Sequence, residues 1–101
     1  MLFETYNLNA RFDSAKSFYG KAQVLENEQE EIKILQSYET YVCIIKGNHA
    51  FISDTYSNTT VRHIKEFLKQ NGFKVGSKQE LIKMYSVDVE TFDNVIEQLG
   101  L

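Results

Sequence analysis

The chain has 101 residues, of which 43% are hydrophobic and 25% are charged, and this balance is typical of a single compact domain over residues 1–101. Its longest apolar run, at 41–45, is far shorter than the roughly 18 to 20 residues that cross a bilayer, and the N-terminus lacks the basic region of a signal peptide, so we expect a cytoplasmic protein. The single cysteine, Cys43, excludes a disulfide framework and a cysteine-based structural zinc site.

The first half of the chain is dominated by patterns that predict β-strands. Residues 18–25 form a first candidate strand, and a polar, acidic turn at 26–31 separates it from a second candidate strand at 32–38. A third candidate strand spans residues 40–46. The Ser-Tyr-Glu-Thr sequence at 37–40 is either a turn between the second and third strands or a bulge within one longer strand.

A hairpin is predicted directly after the third candidate strand. Gly47 and Asn48 suit a two-residue turn with glycine at the first central position. Such a turn would pair Ile45 with Ala50 and return the chain as a fourth strand.

The third candidate strand carries apolar side chains on both of its faces. Tyr41, Cys43 and Ile45 would point to one face, whereas Val42 and Ile44 would point to the other. A strand of this kind is expected to be covered twice. One cover is the helix that follows, and the second is the C-terminal segment, the N-terminal segment or another copy of the chain in a homodimer.

The next stretch predicts a helix over residues 57–73. Ser57 is the candidate N-cap, Tyr56 and Val61 would form a hydrophobic staple, and Gly72 stands where a left-handed C-terminal residue is expected. The residues of the buried apolar stripe are Val61, Ile64, Phe67 and Leu68. A second set of residues on this helix is predicted to form an exposed flank that we call the basic flank: Arg62, Lys65 and Lys69.

Residues 77–101 predict a helical hairpin. Ser77 and Glu80 form a capping box, and Asp88 can cap a last helix in which Phe92 faces inward. The spacing also resembles a helix-turn-helix, but the acidic side chains of the last helix would face the polyanionic DNA. These side chains are Asp88, Glu90, Asp93 and Glu97.

The order of these elements predicts the fold class. Strands in residues 1–56 followed by helices argue for an α+β fold instead of alternating βαβ units. We expect an antiparallel meander of three to four strands, a packing helix at 57–73 and a C-terminal helical hairpin at 77–101.

Charge is segregated along the chain, whose net charge is −3. Residues 1–56 carry five basic and eight acidic side chains, residues 57–83 carry six and two, and residues 84–101 carry none and four. The middle section is therefore basic and the last section is purely acidic.

Little in the sequence predicts catalysis. Asp54, Ser57 and His63 include the residue types of a nucleophilic triad, but no nucleophile elbow or oxyanion loop accompanies them. His49 and His63 match no metal-binding spacing, so we interpret both as surface histidines. We therefore predict no enzyme, no catalytic residue, no metal site and no cofactor.

Three stretches carry a resemblance to a known family. They are SFYGKA at 17–22, SYET at 37–40 and YSNTTVRHIKEFLKQNGF at 56–73. Together they resemble a family of small, uncharacterised proteins of phages, plasmids and conjugative elements of Gram-positive bacteria. The resemblance covers about residues 12–75, and its most specific part is the Tyr-Ser-x-Thr-Thr-x-Arg-His-Ile pattern. It implies an accessory protein of a mobile element, a context that includes anti-CRISPR inhibitors of host defence.

Two functional hypotheses follow. In the first, the protein is non-catalytic and binds and inhibits a host protein, such as a defence nuclease or CRISPR effector, with an acidic surface that occupies a nucleic-acid groove. The residues of this surface are Glu90, Asp93 and Glu97. In the second, the chain is a nucleic-acid-binding accessory or regulatory protein that uses the basic section at 57–83.

The start of the helix at 57–73 is a candidate anion site, because a helix N-terminus offers unpaired N–H groups and a partial positive charge. The candidate residues are Asn58, Thr59, Thr60, Arg62, His63, Lys65 and Lys69. We expect them to hold a carboxylate or phosphate of the binding partner, unless the hydroxyl groups serve only as a helix cap.

Overall fold

The computed structural model describes residues 2–14, 18–53 and 57–101. Within these ranges, five strands precede three helices: β1 (Glu4–Asn7), β2 (Ala22–Asn27), β3 (Ile32–Ser37), β4 (Thr40–Lys46), β5 (His49–Ile52), α1 (Asn58–Gln70), α2 (Lys78–Tyr85) and α3 (Val89–Gln98). Each strand pairs antiparallel with the next, in the order β1-β2-β3-β4-β5. The predicted α+β fold with an antiparallel meander is confirmed.

The meander contains one strand more than the sequence predicts. This strand is β1, whose four residues are mostly exposed and therefore show no alternation of apolar and polar side chains. β1 lies at the sheet edge and pairs with β2, with Tyr6 opposite Val24.

Two turns fix the register of the central strands. Gly47 has a φ of 59°, and Ile45 lies opposite Ala50, as the glycine-first hairpin predicts. At SYET the first predicted alternative, a turn between two strands, is present, because Ser37 lies opposite Thr40 across a two-residue turn. A register shift also occurs, but it lies before this turn, between Leu35 and Gln36.

The sheet is covered on both faces, and two hydrophobic clusters result. The first cluster lies between the sheet and α1 and α2. Its buried residues are Leu8, Phe18, Ala22, Val24, Leu35, Val42, Cys43, Ile45, Ala50, Ile52, Val61, Ile64, Phe67, Leu68 and Leu81. The second cluster lies between the opposite face and α3, and its buried residues are Leu25, Ile32, Ile34, Ile44, Phe92, Ile96 and Leu99.

The double cover that the sequence predicts for the strand at 40–46 is therefore confirmed. Neighbouring residues such as Ile44 and Ile45 point to opposite faces and enter different clusters. The second cover is α3 of the same chain. Another copy of the chain is not needed to bury this face.

The two C-terminal helices lie on opposite faces of the sheet. Leu81 of α2 belongs to the first cluster, whereas Phe92 of α3 belongs to the second. Between them the chain passes the edge of β5, where the backbone N–H of Val87 donates to the carbonyl oxygen of Ile52 over 2.8 Å. This contact also protects an edge strand that would otherwise present unpaired backbone groups.

The predicted caps of this helical pair are present. Ser77 and Glu80 form the capping box at the start of α2, and the Asp88 side chain accepts the backbone N–H of Thr91 over 2.8 Å at the start of α3. Within the residues that the structure describes, no helix is long and apolar enough to cross a membrane.

Candidate functional site

The two ends of α1 are built as the sequence predicts. Ser57 is the N-cap, and its hydroxyl oxygen accepts the backbone N–H of Thr60 over 3.2 Å. Gly72 has a φ of 81°, and the N–H of Phe73 donates to the carbonyl oxygen of Leu68 over 3.0 Å. The predicted staple residue Tyr56 lies outside the described residues, as does Asp54.

His63 is not a surface residue, so that prediction is wrong. Its side chain is only 1% exposed, and its Nδ1 lies 2.8 Å from the Oγ of Ser37, the last residue of β3. On the helix, His63 lies beside the apolar stripe, and the end of β3 packs over this side of the helix. His49, the other predicted surface histidine, is exposed.

A chain of hydroxyl groups leads from the N-cap of α1 to the buried imidazole. The Ser57 hydroxyl donates to Thr60 Oγ1 over 3.2 Å, and Thr60 Oγ1 lies 3.3 Å from Ser37 Oγ, which contacts His63. Ser37 is 3% exposed, so water has little access here, and the Ser37 hydroxyl supplies the hydrogen-bond partner of the imidazole Nδ1. Sequence reasoning overlooked Ser37, although it belongs to the SYET stretch.

Two aromatic rings complete the surroundings of His63. The Phe18 ring meets the imidazole edge-on with the ring centroids 4.7 Å apart, and the Tyr38 ring lies 5.8 Å away. Tyr38 has a φ of 56°, which is costly for an aromatic residue. Each of the three stretches that carry the family resemblance therefore contributes side chains to the environment of this one imidazole.

The imidazole of His63 is held neutral by its surroundings. Burial lowers the pKa of His63 below its ordinary value, because the charged ring loses its hydration. The positive charges of Arg62 and Lys21 lower this pKa further, and the negative charge of Asp13 opposes them.

The contact of Ser37 with His63 has the spacing of a nucleophile and a base, but both side chains are buried. A nucleophile must reach its substrate, so we interpret the pair as a structural hydrogen bond. Ser57, the serine of the predicted triad, contacts Thr60. Across the described ranges, no three His, Cys, Asp or Glu side chains are grouped so that they could hold a metal ion.

The basic flank of α1 is partly occupied by the chain itself. The guanidinium of Arg62 donates to both carboxylate oxygens of Asp13, with the Nε to Oδ2 distance at 3.1 Å. The ammonium group of Lys69 lies 4.8 Å from the centre of the Phe12 ring. Lys65 is half-buried. The predicted anion site therefore already has a carboxylate on its arginine.

Residues 9–13, which we call the strap, follow this flank and are held by the carboxylate of Glu66. Its Oε1 accepts three consecutive backbone N–H groups, from Arg11 at 2.9 Å, Phe12 at 2.8 Å and Asp13 at 2.9 Å. Its Oε2 accepts the Nε2 of Gln70 over 2.8 Å. Burial alone would raise the pKa of Glu66, but the hydrogen bonds from Gln70 and the three amides keep this pKa below its ordinary value.

Comparison with known proteins places these features in a family. A family model described as "Family of unknown function (DUF8033)" matches residues 6–83, which is more than half of the chain. This chain belongs to the DUF8033 family. No curated protein and no solved structure matches it. The residues matched to DUF8033 contain the His63 environment and the strap, whereas α3 begins after them.

The remaining predicted site residues fall into two separate groups. At the start of α1, Asn58 and Thr59 are exposed and Thr60 is half-buried. On α3, the side chains of Glu90, Asp93 and Glu97 are all exposed. α1 and α3 cover opposite faces of the sheet, so the structure does not bring the two groups together.

We expect the Ser57→Ala variant to lose about 1 kcal/mol of unfolding free energy, because the N–H of Thr60 loses its acceptor. Urea denaturation measures this loss. Ser57→Asn is the matched control, since asparagine restores a cap acceptor and should keep the stability within a few tenths of a kcal/mol. Equal stability of Ser57→Ala and the unmodified protein would show that the cap contributes nothing.

Proposed function

We propose that this protein is a non-catalytic accessory protein that binds another macromolecule, and that its binding surface is the acidic face of α3. One observation carries the proposal. Glu90, Asp93 and Glu97 are exposed on α3 at spacings of three and four residues, which place them on the same side of the helix.

The stretch of sequence that forms this face contains no basic residue. Residues 84–101 contain four acidic and no basic residues, and within the described part of the chain none of the three carboxylates has an ion-pair partner. Glu90 lies in the first turn of α3, where the helix dipole favours a carboxylate, but Asp93 and Glu97 are like charges four residues apart and destabilise the helix slightly. Helix stability therefore does not explain Asp93 and Glu97. A concentrated negative face is complementary to the basic groove of a protein that handles nucleic acid.

The partner that we propose is a host protein in the cytoplasm of a bacterial cell. The resemblance of the Tyr-Ser-x-Thr-Thr-x-Arg-His-Ile pattern to phage and mobile-element proteins supports this context. A defence nuclease, such as a CRISPR effector, is a host protein that has a basic groove for nucleic acid. Occupation of that groove by α3 would inhibit such a nuclease without any chemical step.

The burial of the polar groups near α1 supports a non-catalytic role. Ser37 and His63 are 3% and 1% exposed, so this pair, which resembles a nucleophile and its base, is closed to a substrate. The alternative function, nucleic-acid binding through the basic section at 57–83, is less well supported because Asp13 neutralises Arg62 there. A gel shift at two salt concentrations tests the alternative, since phosphate contacts weaken steeply as salt rises.

We expect charge reversal on α3 to weaken partner binding. The partner is first captured from host lysate by the unmodified protein, and its affinity for the Glu90→Lys/Asp93→Lys variant is then measured. We expect an affinity lower by about tenfold or more, which corresponds to about 1.4 kcal/mol. The melting temperature should change little, because both side chains are exposed.

The matched control is Glu28→Lys/Glu30→Lys, which makes the same change in net charge on the exposed turn between β2 and β3. This control should retain the affinity of the unmodified protein. An equal loss in both variants would mean that only net charge matters. Unchanged affinity in the α3 variant would remove α3 from the interface.

A further inference from the structure

We propose that the strap is a displaceable occupant of the basic flank of α1, and that this flank binds an extended peptide segment of another protein, whose aspartate or glutamate pairs with Arg62, when the strap opens. This inference goes beyond the function proposed above. It concerns the opposite face of the sheet and does not depend on the acidic face of α3.

The strap is attached by polar contacts that can be exchanged. The N–H groups of residues 11–13 donate to the Glu66 carboxylate, and the carbonyl oxygen of Asn9 accepts a hydrogen bond from Gln70. The guanidinium of Arg62 holds Asp13, and the side chain of Arg62 is 50% exposed. Glu66 is 2% exposed while the strap covers it, and lifting of the strap would admit water to its carboxylate and to Arg62, so that neither charged group would be left buried and unpaired.

Opening of the strap would leave both hydrophobic clusters in place. Leu8 precedes the strap and is 3% exposed, and its N–H donates to the carbonyl oxygen of Ala22 over 3.0 Å. Phe18 follows the strap and is 4% exposed. Within the strap only Ala10 packs against the first cluster, and Phe12 is 55% exposed. Segments with so little apolar burial open locally at a free energy below that of global unfolding.

The contacts of the strap indicate which ligand the flank fits. They combine a carboxylate on Arg62, an aromatic ring beside Lys69 and three backbone N–H groups on Glu66. Only a peptide offers all three features. A nucleic acid would supply phosphates to Arg62 and Lys69, but its backbone has no N–H donors for Glu66, whose negative charge would repel it. An extended peptide with an aromatic residue directly before an aspartate or glutamate is the occupant that the observations favour.

An external peptide must compete with the strap. The strap is part of the same chain, so its effective concentration at the flank is on the order of millimolar. Removal of its carboxylate by Asp13→Ala should weaken the strap and leave Arg62 open to a carboxylate from outside. The Glu66 contacts remain available in this variant, because they involve only backbone N–H groups of the strap.

The test is an NMR titration of the full-length Asp13→Ala protein with a synthetic peptide of sequence LNARFDS, which copies residues 8–14. We expect shifts in the amides of α1 near Arg62 and Glu66, and an affinity about tenfold higher than that of the unmodified protein, whose intact strap competes. The control peptide LNARFNS, which lacks the carboxylate, should bind more weakly, and Asp13→Ala/Arg62→Gln should lose the preference for LNARFDS.

Several results would overturn the proposal. The proposal is wrong if the amides of α1 do not shift at a peptide concentration of several millimolar, or if both peptides bind with equal affinity. It is also wrong if single-stranded oligothymidylate binds to the flank and the peptide does not. Hydrogen exchange supplies an independent measurement on the unmodified protein. The amides of residues 11–13 should exchange at least about tenfold faster than the buried amide of Ile64. Exchange at the same rate would show that the strap opens only when the whole protein unfolds.

Discussion

Replacement of Phe92 by alanine is expected to lower the free energy of unfolding by about 3 to 5 kcal/mol, which is the usual cost of removing a buried aromatic ring. Phe92 is 2% exposed and belongs to the second cluster, in which α3 covers the sheet face opposite α1. Its loss would open a cavity against the central strands. Urea or thermal denaturation, followed by circular dichroism, measures the effect.

The matched control for Phe92 is Val89→Ala on the same helix. Val89 is 53% exposed, so its truncation should change the free energy of unfolding by no more than about 0.5 kcal/mol. Similar small losses in both variants would mean that α3 does not cover the sheet in solution. The apolar second face would then require another cover, and light scattering at high protein concentration would reveal a homodimer.

The second large effect is expected from pH. The free energy of unfolding should fall as the pH is lowered from about 7.5 to about 5, because the pKa of His63 in the folded protein lies below its unfolded value of about 6.5. The unfolded chain therefore takes up the proton first. The contribution of His63 to stability is complete above pH 6.5 and is lost as the pH falls from there toward the folded-state pKa, with a slope of at most about 1.4 kcal/mol per pH unit.

Two variants isolate this effect. His63→Gln should flatten the dependence on pH between 5 and 7.5, whereas His49→Gln should retain it because His49 is exposed. The lowered pKa of Glu66 affects stability only below its ordinary value of about 4.3, outside this window. If His63→Gln kept the full slope, the imidazole would not be the titrating group.

The strap changes the interpretation of the basic section of the chain. From the sequence, Arg62, Lys65 and Lys69 form an exposed flank that should attract an anion. In the structure Arg62 is already paired with Asp13 and Lys69 lies against Phe12. The basic flank therefore carries less free positive charge than the count of residues indicates, whereas the acidic face of α3 keeps its full charge.

The sequence alone was sufficient to predict the caps of the helices and the hairpin turn. The helix cap at Ser57, the capping box at Ser77 and the left-handed residue Gly72 are all present. So is the glycine-first hairpin at Gly47, which fixes Ile45 opposite Ala50. Each of these features depends on hydrogen bonds between residues a few positions apart, or on the φ angle of one residue, and such constraints are visible in a short stretch of sequence.

Only the tertiary structure decided the environment of the candidate site. His63 meets Ser37 across 26 positions, and Glu66 meets the amides of residues 11–13 across 53 to 55 positions. Neither pairing has a local signal, because a histidine or glutamate at the border of an apolar helix stripe can face water or another segment equally well. The end of β3 packs over His63, which the sequence predicted to be exposed, and the strap packs over Glu66, so that both polar side chains are buried.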